Sequence, residues 1–464
     1  MFKNKINDLK IETIFLFFCL FFGFIFVFVT APFMVADESS HFLKAWDVSQ
    51  WNFIQKNPSI TVPKSIGDSV GNVSLSSNDA DDIMKIMSLG RNDYLQYFNE
   101  PLNAHETQKI SIINIYTYPP MSYIAPAFVL KTGEFFNLSP LILLYLTRLI
   151  NLITYAIIVY FGIKILPIGK YMFLLITLMP MTLSQAASAS GDSLNNALSF
   201  FIICLFLKLA LNKKQIQKND IILLSLSLLG VALSKQIYIL LGLLFFIIPK
   251  SNFSNIRIRL LYFLSIIIPP GIIVVFWNLL SKYYVSSSSK IVSSTFSNGS
   301  YLLDFSYIIT NTLITRFNYI ATSFVGYFGW LAKCYPLPLI LIYIYLIVLV
   351  IVSVIEINDF KLLMKQKIIS ILIFFIGSLA LLLIIFGWEP AGSMVIGGIQ
   401  GRYFIPFAPL FFLTLQNNKL YNYFRDESNQ IYLKIFVLIF IGICLIISSY
   451  ILSFCLDHAH YGSI

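Results

Sequence analysis

The sequence predicts an all-α polytopic membrane protein with about eleven transmembrane helices, and three observations support this fold class. The 464 residues are 58% hydrophobic and only 12% charged, whereas soluble domains are roughly 25% charged. Apolar runs such as Thr13–Val29 and Ile435–Leu452 have the length of about 20 residues that a helix needs to cross a bilayer. The regular spacing of these runs favours helices over the strands of a membrane barrel.

The charge distribution indicates a membrane topology and argues against a nucleic-acid-binding protein. The net charge is +10, yet the segment Asp37–Lys109 contains ten acids and six Lys or Arg residues. The excess of positive charge therefore lies in short loops between apolar runs, which is the positive-inside pattern. We expect a multi-pass membrane protein whose acidic segment faces outward.

The first apolar run resembles a signal peptide, but we expect it to remain as a membrane anchor. Three lysines precede the run, and Pro32 directly follows the only small-residue candidate for a cleavage site. The run is also longer than the apolar region of a typical signal peptide. The sequence therefore predicts a helix from about Glu12 to Met34, with its N-terminus in the cytoplasm.

The order of apolar and polar segments predicts five regions. They are an N-terminal signal-anchor helix (1–34), a first outer loop with interfacial helices (35–136), central transmembrane helices (137–281), a second outer loop (282–334) and C-terminal transmembrane helices (335–464). The spans predicted after the anchor are 140–163, 171–188, 192–211, 219–234, 236–249, 259–281, 335–356, 367–388, 403–416 and 431–455.

The segment Thr117–Phe136 is apolar enough to cross the membrane, but it contains Pro119, Pro120 and Pro126. A crossing here would place the next basic loops outside. A re-entrant or interfacial segment instead places every basic loop inside, which the positive-inside rule favours. Those loops are Lys164–Lys170, Lys213–Lys218, Lys250–Arg259, Lys361–Lys367 and Lys419–Arg425. We therefore interpret the segment as lying at the outer interface.

Charged and polar residues at the predicted outer ends of the helices are the candidate functional residues. Charges at or within spanning helices are energetically costly and often mark function. Both signs occur together here, so a cavity between these side chains could hold an anionic headgroup beside a base. The candidates are Asp37, Glu38, His41, Arg148, Asp192, Lys235, Gln400 and Arg402.

Several of these residues also have a simpler interpretation. Asp37 and Glu38 could cap the interfacial helix that begins there, since carboxylates suit a helix N-terminus. His41 lies on the same helical face as Asp37 and could orient that carboxylate, bind a metal with it, or face water. Arg402 could anchor a helix end at the interface, although Gly401 permits close backbone approach and a guanidinium suits phosphate.

We expect no disulfide, no zinc site and no cofactor. The five cysteines are scattered along the chain, and no CxxC or Cys/His cluster occurs. A divalent metal is not expected either, because the possible ligands around His41 do not form a specific set.

Five sequence blocks together resemble a bacterial membrane family known as domain of unknown function 2142. The first, APFMVADESSHFLKAW from Ala31, is similar to a Pro-x-x-x-x-Asp-Glu-x-x-His-Phe pattern of that family. The later blocks follow in the same order and extend the resemblance to about Leu410. They read YPPMSYIAPA, LSPLILLYLTRLINLI, LMPMTLSQAASASGDSLNNAL and IQGRYFIPFAPL.

This family resembles the glycosyltransferase C (GT-C) superfamily, which includes protein O-mannosyltransferases and lipid A aminoarabinose transferases. The resemblance implies a sugar donor carried on a polyprenyl phosphate or diphosphate and an acidic residue in the first outer loop that serves as the catalytic base. It assigns that role to Asp37, with Glu38 beside it, and matches Asp192 to a later acidic block. The expected partners are the lipid-linked sugar, a glycan or lipid-linked acceptor and membrane lipid, with no nucleic acid.

Three other functions remain open from the sequence. One is a polysaccharide polymerase or ligase that acts on lipid diphosphate oligosaccharides; a large outer loop with several Arg residues would favour it, and the outer loops here contain few Arg residues. A non-catalytic polysaccharide flippase would have repeat symmetry and charges near the bilayer midplane. A structural membrane subunit would have no need of an outer cluster of acids and bases. We expect inverting glycosyl transfer with Asp37 as the base.

Overall fold

The computed structural model describes residues 9–457 except 57–58, 74–97, 113–114, 116, 213, 287–300, 331–332, 357–359, 388, 390–391 and 418–426. Most of these residues are helical. The basic segment Lys419–Arg425 and Lys213, which entered the topology prediction, lie outside the described residues.

The α-helices of the described chain are numbered in order. They are α1 (Ile11–Val29), α2 (Glu38–Ser49), α3 (Lys64–Val73), α4 (Ile124–Phe135), α5 (Pro140–Ile165), α6 (Lys170–Thr177), α7 (Pro180–Ala186), α8 (Asp192–Leu211), α9 (Lys218–Ala232), α10 (Ile256–Ser286), α11 (Tyr301–Val325), α12 (Leu339–Ile355), α13 (Met364–Phe386), α14 (Ala408–Thr414) and α15 (Glu427–Asp457). Shorter 3₁₀ segments are Met121–Tyr123, Gln236–Ile247, Lys250–Asn252 and Gly401–Phe404.

Six of the described helices, α1, α5, α8, α10, α13 and α15, are long and apolar enough to cross a membrane. Two shorter apolar helices, Gln236–Ile247 and Leu339–Ile355, accompany them. The structure therefore supports the predicted mostly helical membrane protein, but its long helices are fewer than the eleven crossings expected from the sequence.

Local backbone chemistry explains much of this difference. Pro180 begins α7 and divides the predicted span 171–188 into two short helices, because proline cannot continue a helix without losing a hydrogen bond. The predicted span 403–416 begins as a 3₁₀ turn and contains only the seven-residue α14. The 12-residue segment Gln236–Ile247 is also a 3₁₀ helix, and its rise of about 2.0 Å per residue extends it to roughly 24 Å.

The first helix is shorter than predicted. It ends at Val29 instead of Met34, and Pro32 explains this because the residue before a proline disfavours the helical conformation. Residues 30–36 are buried without regular helical structure. This buried turn leads directly into α2, which begins at Glu38.

The polar region 35–136 combines helices with a two-stranded sheet. Strand β1 (Ser59–Pro63) pairs antiparallel with β2 (Thr107–Ser111), with Ser59 opposite Ser111 and Pro63 opposite Thr107. The sequence predicts interfacial helices here but no strands. Helix α4 has 12 residues and reaches about 18 Å, so it is too short to cross a hydrocarbon core of about 30 Å.

The packing around α5 positions the candidate site. Helix α5 lies against α1, α4 and α8, and Gly23 of α1 permits a close approach to Leu152 of α5. Helix α11 packs against the turn Gly401–Phe404 and is followed by a hairpin of β3 (Tyr327–Trp330) and β4 (Lys333–Pro336). These contacts bring the end of α1, the starts of α5 and α8, and the turn at Arg402 to one end of the bundle.

Candidate functional site

Four charged side chains from distant parts of the chain meet at this end of the bundle. We call Asp37, Asp192, Lys235 and Arg402 the ionic cluster. Arg402 Nη2 donates to Asp37 Oδ2 over 2.8 Å, and its Nη1 lies 3.8 Å from Asp192 Oδ2. Lys235 Nζ donates to Asp192 Oδ1. The cluster therefore contains two acids and two bases joined in one chain of ion pairs.

Arg402 is the buried centre of the ionic cluster. Its side chain is 2% exposed, and its Nε has no hydrogen-bond partner among the described residues. The neighbouring Gly401 explains how the arginine reaches this position. A Cβ at Gly401 would overlap backbone atoms of Ile320 and Phe324 in α11, so this position accepts only a residue without a side chain. The expected close backbone approach is therefore present.

Asp37 is the most exposed acid of the ionic cluster. Its side chain is 33% exposed, whereas that of Asp192 is 5% exposed. Asp37 is the N-cap residue of α2, but its side chain makes no capping hydrogen bond and its φ is 63°. Non-glycine residues adopt this left-handed conformation infrequently. The carboxylate is thus directed to Arg402 and to the surface instead of to the helix that it precedes.

Asp192 is held rigidly at the start of α8. Its Oδ2 accepts a hydrogen bond of 3.1 Å from Gln185 Nε2, and its backbone amide donates to Ser190 Oγ. Gln185 Oε1 in turn accepts from Asn196 Nδ2 over 2.9 Å. Buried acids are stabilised by such hydrogen bonds and paired charges. Asp192 is therefore fixed in position, and it holds Lys235 and Arg402 in place.

His41 lies beside the ionic cluster but contacts Tyr123. Its Nδ1 lies 2.7 Å from Tyr123 Oη, and the two rings are stacked. Burial lowers the pKa of His41 to about 4, although the nearby carboxylates of Asp37 and Asp192 oppose this shift. The imidazole is therefore neutral at pH 7 and adds no charge to the cluster.

Glu38 and Arg148 form a separate, fully buried ion pair. Arg148 Nη2 and Nε donate to the two carboxylate oxygens of Glu38 over 2.6 and 2.8 Å. The remaining donors of Arg148 bind the backbone carbonyls of Val27, Thr30 and Ala31. Since arginine has five N–H donors, none is left for a substrate phosphate.

This buried pair joins three parts of the chain. Arg148 connects α5 to the end of α1, and Glu38 Oε1 also accepts from the backbone amide of Ala189 over 3.0 Å. Asn151 of α5 fixes the same loop by donating to the carbonyl of Ser188 over 2.8 Å. Glu38 thus connects α2 to the loop before Asp192, which sets the distance between the two acids of the ionic cluster.

An aromatic residue lies against both bases of the cluster. Lys235 Nζ and Arg402 Cζ each lie 5.2 Å from the centre of the Tyr403 ring, within the range of a cation–π interaction. The backbone carbonyl of Tyr403 accepts a hydrogen bond of 2.8 Å from Tyr238 Oη. Gln400 is half-buried and precedes this 3₁₀ turn as its N-cap residue.

The site also includes Gln185, Tyr123 and Tyr403, which the sequence did not single out. Each lies in a block that the family resemblance had identified: Gln185 before Asp192, Tyr123 in the Pro-Pro block and Tyr403 after Arg402. Neutral polar residues have no unusual cost that singles them out in a sequence. Within the described residues, no group of three or more His, Cys, Asp or Glu residues could hold a metal ion.

The fold and the site define a multi-helix membrane protein with an ion-pair cluster at one end of its bundle. The family model of DUF2142, described as a predicted membrane protein, matches residues 20–411. The chain therefore belongs to this family, as its sequence blocks predicted, and the match includes every residue of the ionic cluster. No curated protein matches the chain, and no solved structure does.

Proposed function

We propose that the protein is a membrane glycosyltransferase of the GT-C type. It transfers a sugar from a polyprenyl-phosphate donor to a hydroxyl of a cell-envelope glycan or lipid acceptor. The observation that carries this proposal is the pairing of the partly exposed Asp37 carboxylate with the buried Arg402 guanidinium. That pairing puts a candidate base beside a candidate phosphate-binding group at one end of a membrane bundle.

Arg402 and Lys235 are the groups proposed to bind the donor phosphate. A guanidinium binds phosphate oxygens through parallel hydrogen bonds, and Arg402 Nε has no partner among the described residues. Lys235 is 22% exposed and its charge is held in place by Asp192. The phosphate competes with Asp37 for the Arg402 guanidinium, so donor binding frees the Asp37 carboxylate to accept a proton.

The proposed step is a direct displacement at the anomeric carbon. Asp37 accepts the proton of the acceptor hydroxyl as its oxygen forms a bond to that carbon. The bond between the anomeric carbon and the phosphate oxygen breaks, and its electron pair leaves with the polyprenyl phosphate. Attack opposite the leaving group inverts the anomeric configuration. Arg402 and Lys235 stabilise the extra negative charge on the phosphate.

The other candidate residues are proposed to position the reacting groups and the donor. Glu38 and Arg148 are buried and paired with each other, so we assign them to holding α2 and the Asp192 loop in place. Neutral His41 lies against Gly191 and Tyr123 and forms the wall beside Asp37. Gln400 precedes the Arg402 turn and is proposed to contact the donor.

We further propose that the ionic cluster faces the outer side of a bacterial cytoplasmic membrane, with the N-terminus of the chain in the cytoplasm. The acidic segment that follows α1 and the basic loops at the opposite helix ends support this orientation. The donor then reaches the cluster laterally from the outer leaflet.

Mass analysis of the cell-envelope glycans tests the function. A deletion strain is compared with the same strain that expresses the wild-type protein or Asp37→Asn at equal levels. We expect one sugar to be missing from the glycan in both the deletion and Asp37→Asn strains. An accumulated lipid-linked oligosaccharide with complete sugar composition would instead indicate a flippase, and a shortened but complete repeat unit would indicate a polymerase.

A further inference from the structure

A polar cavity lies at the far end of α2 from the ionic cluster. Its volume is about 520 Å³, within the range of roughly 300–1,000 Å³ that ligand pockets have. The cavity lies between α2, α4 and strand β1, and Asp47, Asn52, Gln55 and Glu134 contribute to its lining. None of these residues contributes to the ionic cluster or to the buried Glu38–Arg148 pair.

Two buried polar atoms in this lining have no hydrogen-bond partner among the described residues. They are Asp47 Oδ2 and Gln55 Nε2, and the two residues are only 6% and 9% exposed. Their other polar atoms are occupied, because Asp47 Oδ1 accepts from Asn52 and Gln55 Oε1 accepts from Lys44. A buried polar atom without a partner destabilises the fold. The acceptor and the donor left open here would be satisfied by a hydroxyl-bearing ligand.

The charges of the cavity favour a neutral ligand. Each of its acids has a lysine nearby: Lys131 Nζ lies 2.7 Å from Glu134, and the charge of Lys44 interacts with Asp47. Burial raises the pKa of Asp47, while the hydrogen bond from Asn52 and the charge of Lys44 oppose this shift. The lining contains two carboxyls, the exposed Lys56 and several amides, which offer both donors and acceptors and no strong net charge.

The cavity also has an apolar wall. Trp46 and Ile54 contribute to its lining, and Ile54 is 42% exposed. A sugar ring presents hydroxyl groups at its edge and C–H groups on its faces. The combination of amides, carboxyls and an apolar wall therefore matches a sugar better than it matches an ion.

We propose that this cavity binds a neutral glycan segment of the acceptor substrate. The identity of this ligand rests on the glycosyltransferase function proposed above. Helix α2 connects the two sites, with Asp37 at its start and Asp47 near its end. At a rise of 1.5 Å per residue they are about 15 Å apart along the helix. A glycan held at Asp47 and Gln55 can therefore extend one terminal hydroxyl toward Asp37.

Saccharide binding to the full-length protein in lipid nanodiscs tests this site without any donor. The probes are maltopentaose, cellopentaose and chitopentaose, compared with spermidine and inorganic phosphate, and binding is measured by saturation-transfer NMR. We expect at least one neutral saccharide to bind saturably. Asp47→Ala should weaken that binding by about tenfold, the effect of losing one or two hydrogen bonds to a buried polar group.

Two further variants make the result decisive. Asn52→Ala, at an exposed position of the rim, should weaken binding in the same way if Asp47→Ala does not fold. Glu106→Gln changes an exposed acid near β2 that does not line the cavity and should bind as the wild type does. The site is overturned if no neutral saccharide binds, if spermidine or phosphate is preferred, or if all three variants bind equally.

Asp37→Asn separates this inference from the proposed function. The variant should lose sugar transfer yet bind the saccharide with wild-type affinity, because Asp37 does not line the cavity. Saccharide binding together with an unaltered envelope glycan in the deletion strain would refute the transferase function alone. Sugar transfer by a wild-type protein that binds no neutral saccharide would refute the acceptor site alone.

Discussion

Arg402 Nη2 lies 2.8 Å from Asp37 Oδ2, although 365 positions separate the two residues in the chain. The contact joins the first polar turn after α1 to the turn that precedes α14, and both turns lie against the same end of the bundle. Arg402 also approaches Asp192. A single guanidinium therefore connects the two acids of the ionic cluster, and its removal would leave both with fewer partners.

Arg402→Lys tests whether the shape of the guanidinium matters beyond its charge. An ammonium is a point charge and cannot make the parallel hydrogen bonds of a guanidinium, so it cannot bridge Asp37, Asp192 and a phosphate together. We expect the donor KM to rise and kcat/KM to fall by about 10²-fold, close to the effect of losing one strong stabilising donor. Steady-state transfer assays in proteoliposomes measure both constants. Unchanged kinetics would show that Arg402 contributes charge alone.

Single substitutions in the buried Glu38–Arg148 pair should destabilise the protein. Glu38→Gln leaves the Arg148 charge buried without its carboxylate, and breaking such a pair costs about 3–5 kcal/mol. The double variant Glu38→Gln/Arg148→Gln should lose less stability than the sum of Glu38→Gln and Arg148→Gln, since it leaves no unpaired charge even though the carbonyls that Arg148 binds lose their donors. Unfolding midpoints of the detergent-solubilised proteins measure the three effects. Additive losses in the double variant would contradict a direct pair.

His41 should make stability depend on pH in the acidic range. Its pKa is about 4 in the folded protein and about 6.5 in the unfolded chain, so the unfolded chain binds more protons between these values. Stability is then complete above pH 6.5 and decreases as the pH falls toward 4, by at most about 3 kcal/mol. His41→Gln removes this titration, and its unfolding free energy should change less than that of the wild type over the same window. Parallel curves for the two proteins would contradict a buried neutral imidazole.

Gly401→Ala tests the close approach that positions Arg402. The added Cβ would overlap the carbonyl of Ile320 and the amide of Phe324, and backbone atoms of α11 cannot yield as a flexible side chain can. We expect lower stability and a displaced Arg402, with sugar transfer reduced more than in a matched control. Gly271→Ala is that control, because a Cβ there meets nothing within 4 Å. Equal effects of the two substitutions would refute the argument.

The helical class and the charged members of the site could be predicted from the sequence because both follow from strong energetic constraints. Long apolar runs must be helical in a membrane, and charges near them must be paired or functional. This reasoning identified Asp37, Asp192, Lys235 and Arg402, which the structure brings together. It could not show that Arg148 pairs with Glu38 and lies outside this cluster, because that pairing is a tertiary contact that spans more than 100 positions.

Other features depend on packing that no local pattern reveals. The division of the predicted span at Pro180 follows from proline chemistry, but the 3₁₀ form of Gln236–Ile247 has no sequence signal in its uniformly apolar residues. Strands β1 and β2 are separated in the chain by a long polar segment, so their pairing is set by tertiary structure. Asp47 Oδ2 and Gln55 Nε2 lack hydrogen-bond partners among the described residues, and only the structure could show this.

The role of Asp37 as the base is tested most directly by adding purified protein to membranes from a deletion strain, which contain both donor and acceptor. The wild-type protein and the exposed-acid control Glu106→Gln should restore the missing sugar to the envelope glycan. Asp37→Asn, which keeps the size of the side chain but cannot accept the proton, should restore none of it while still unfolding in one cooperative transition. Restoration by folded Asp37→Asn at the wild-type rate would contradict the account.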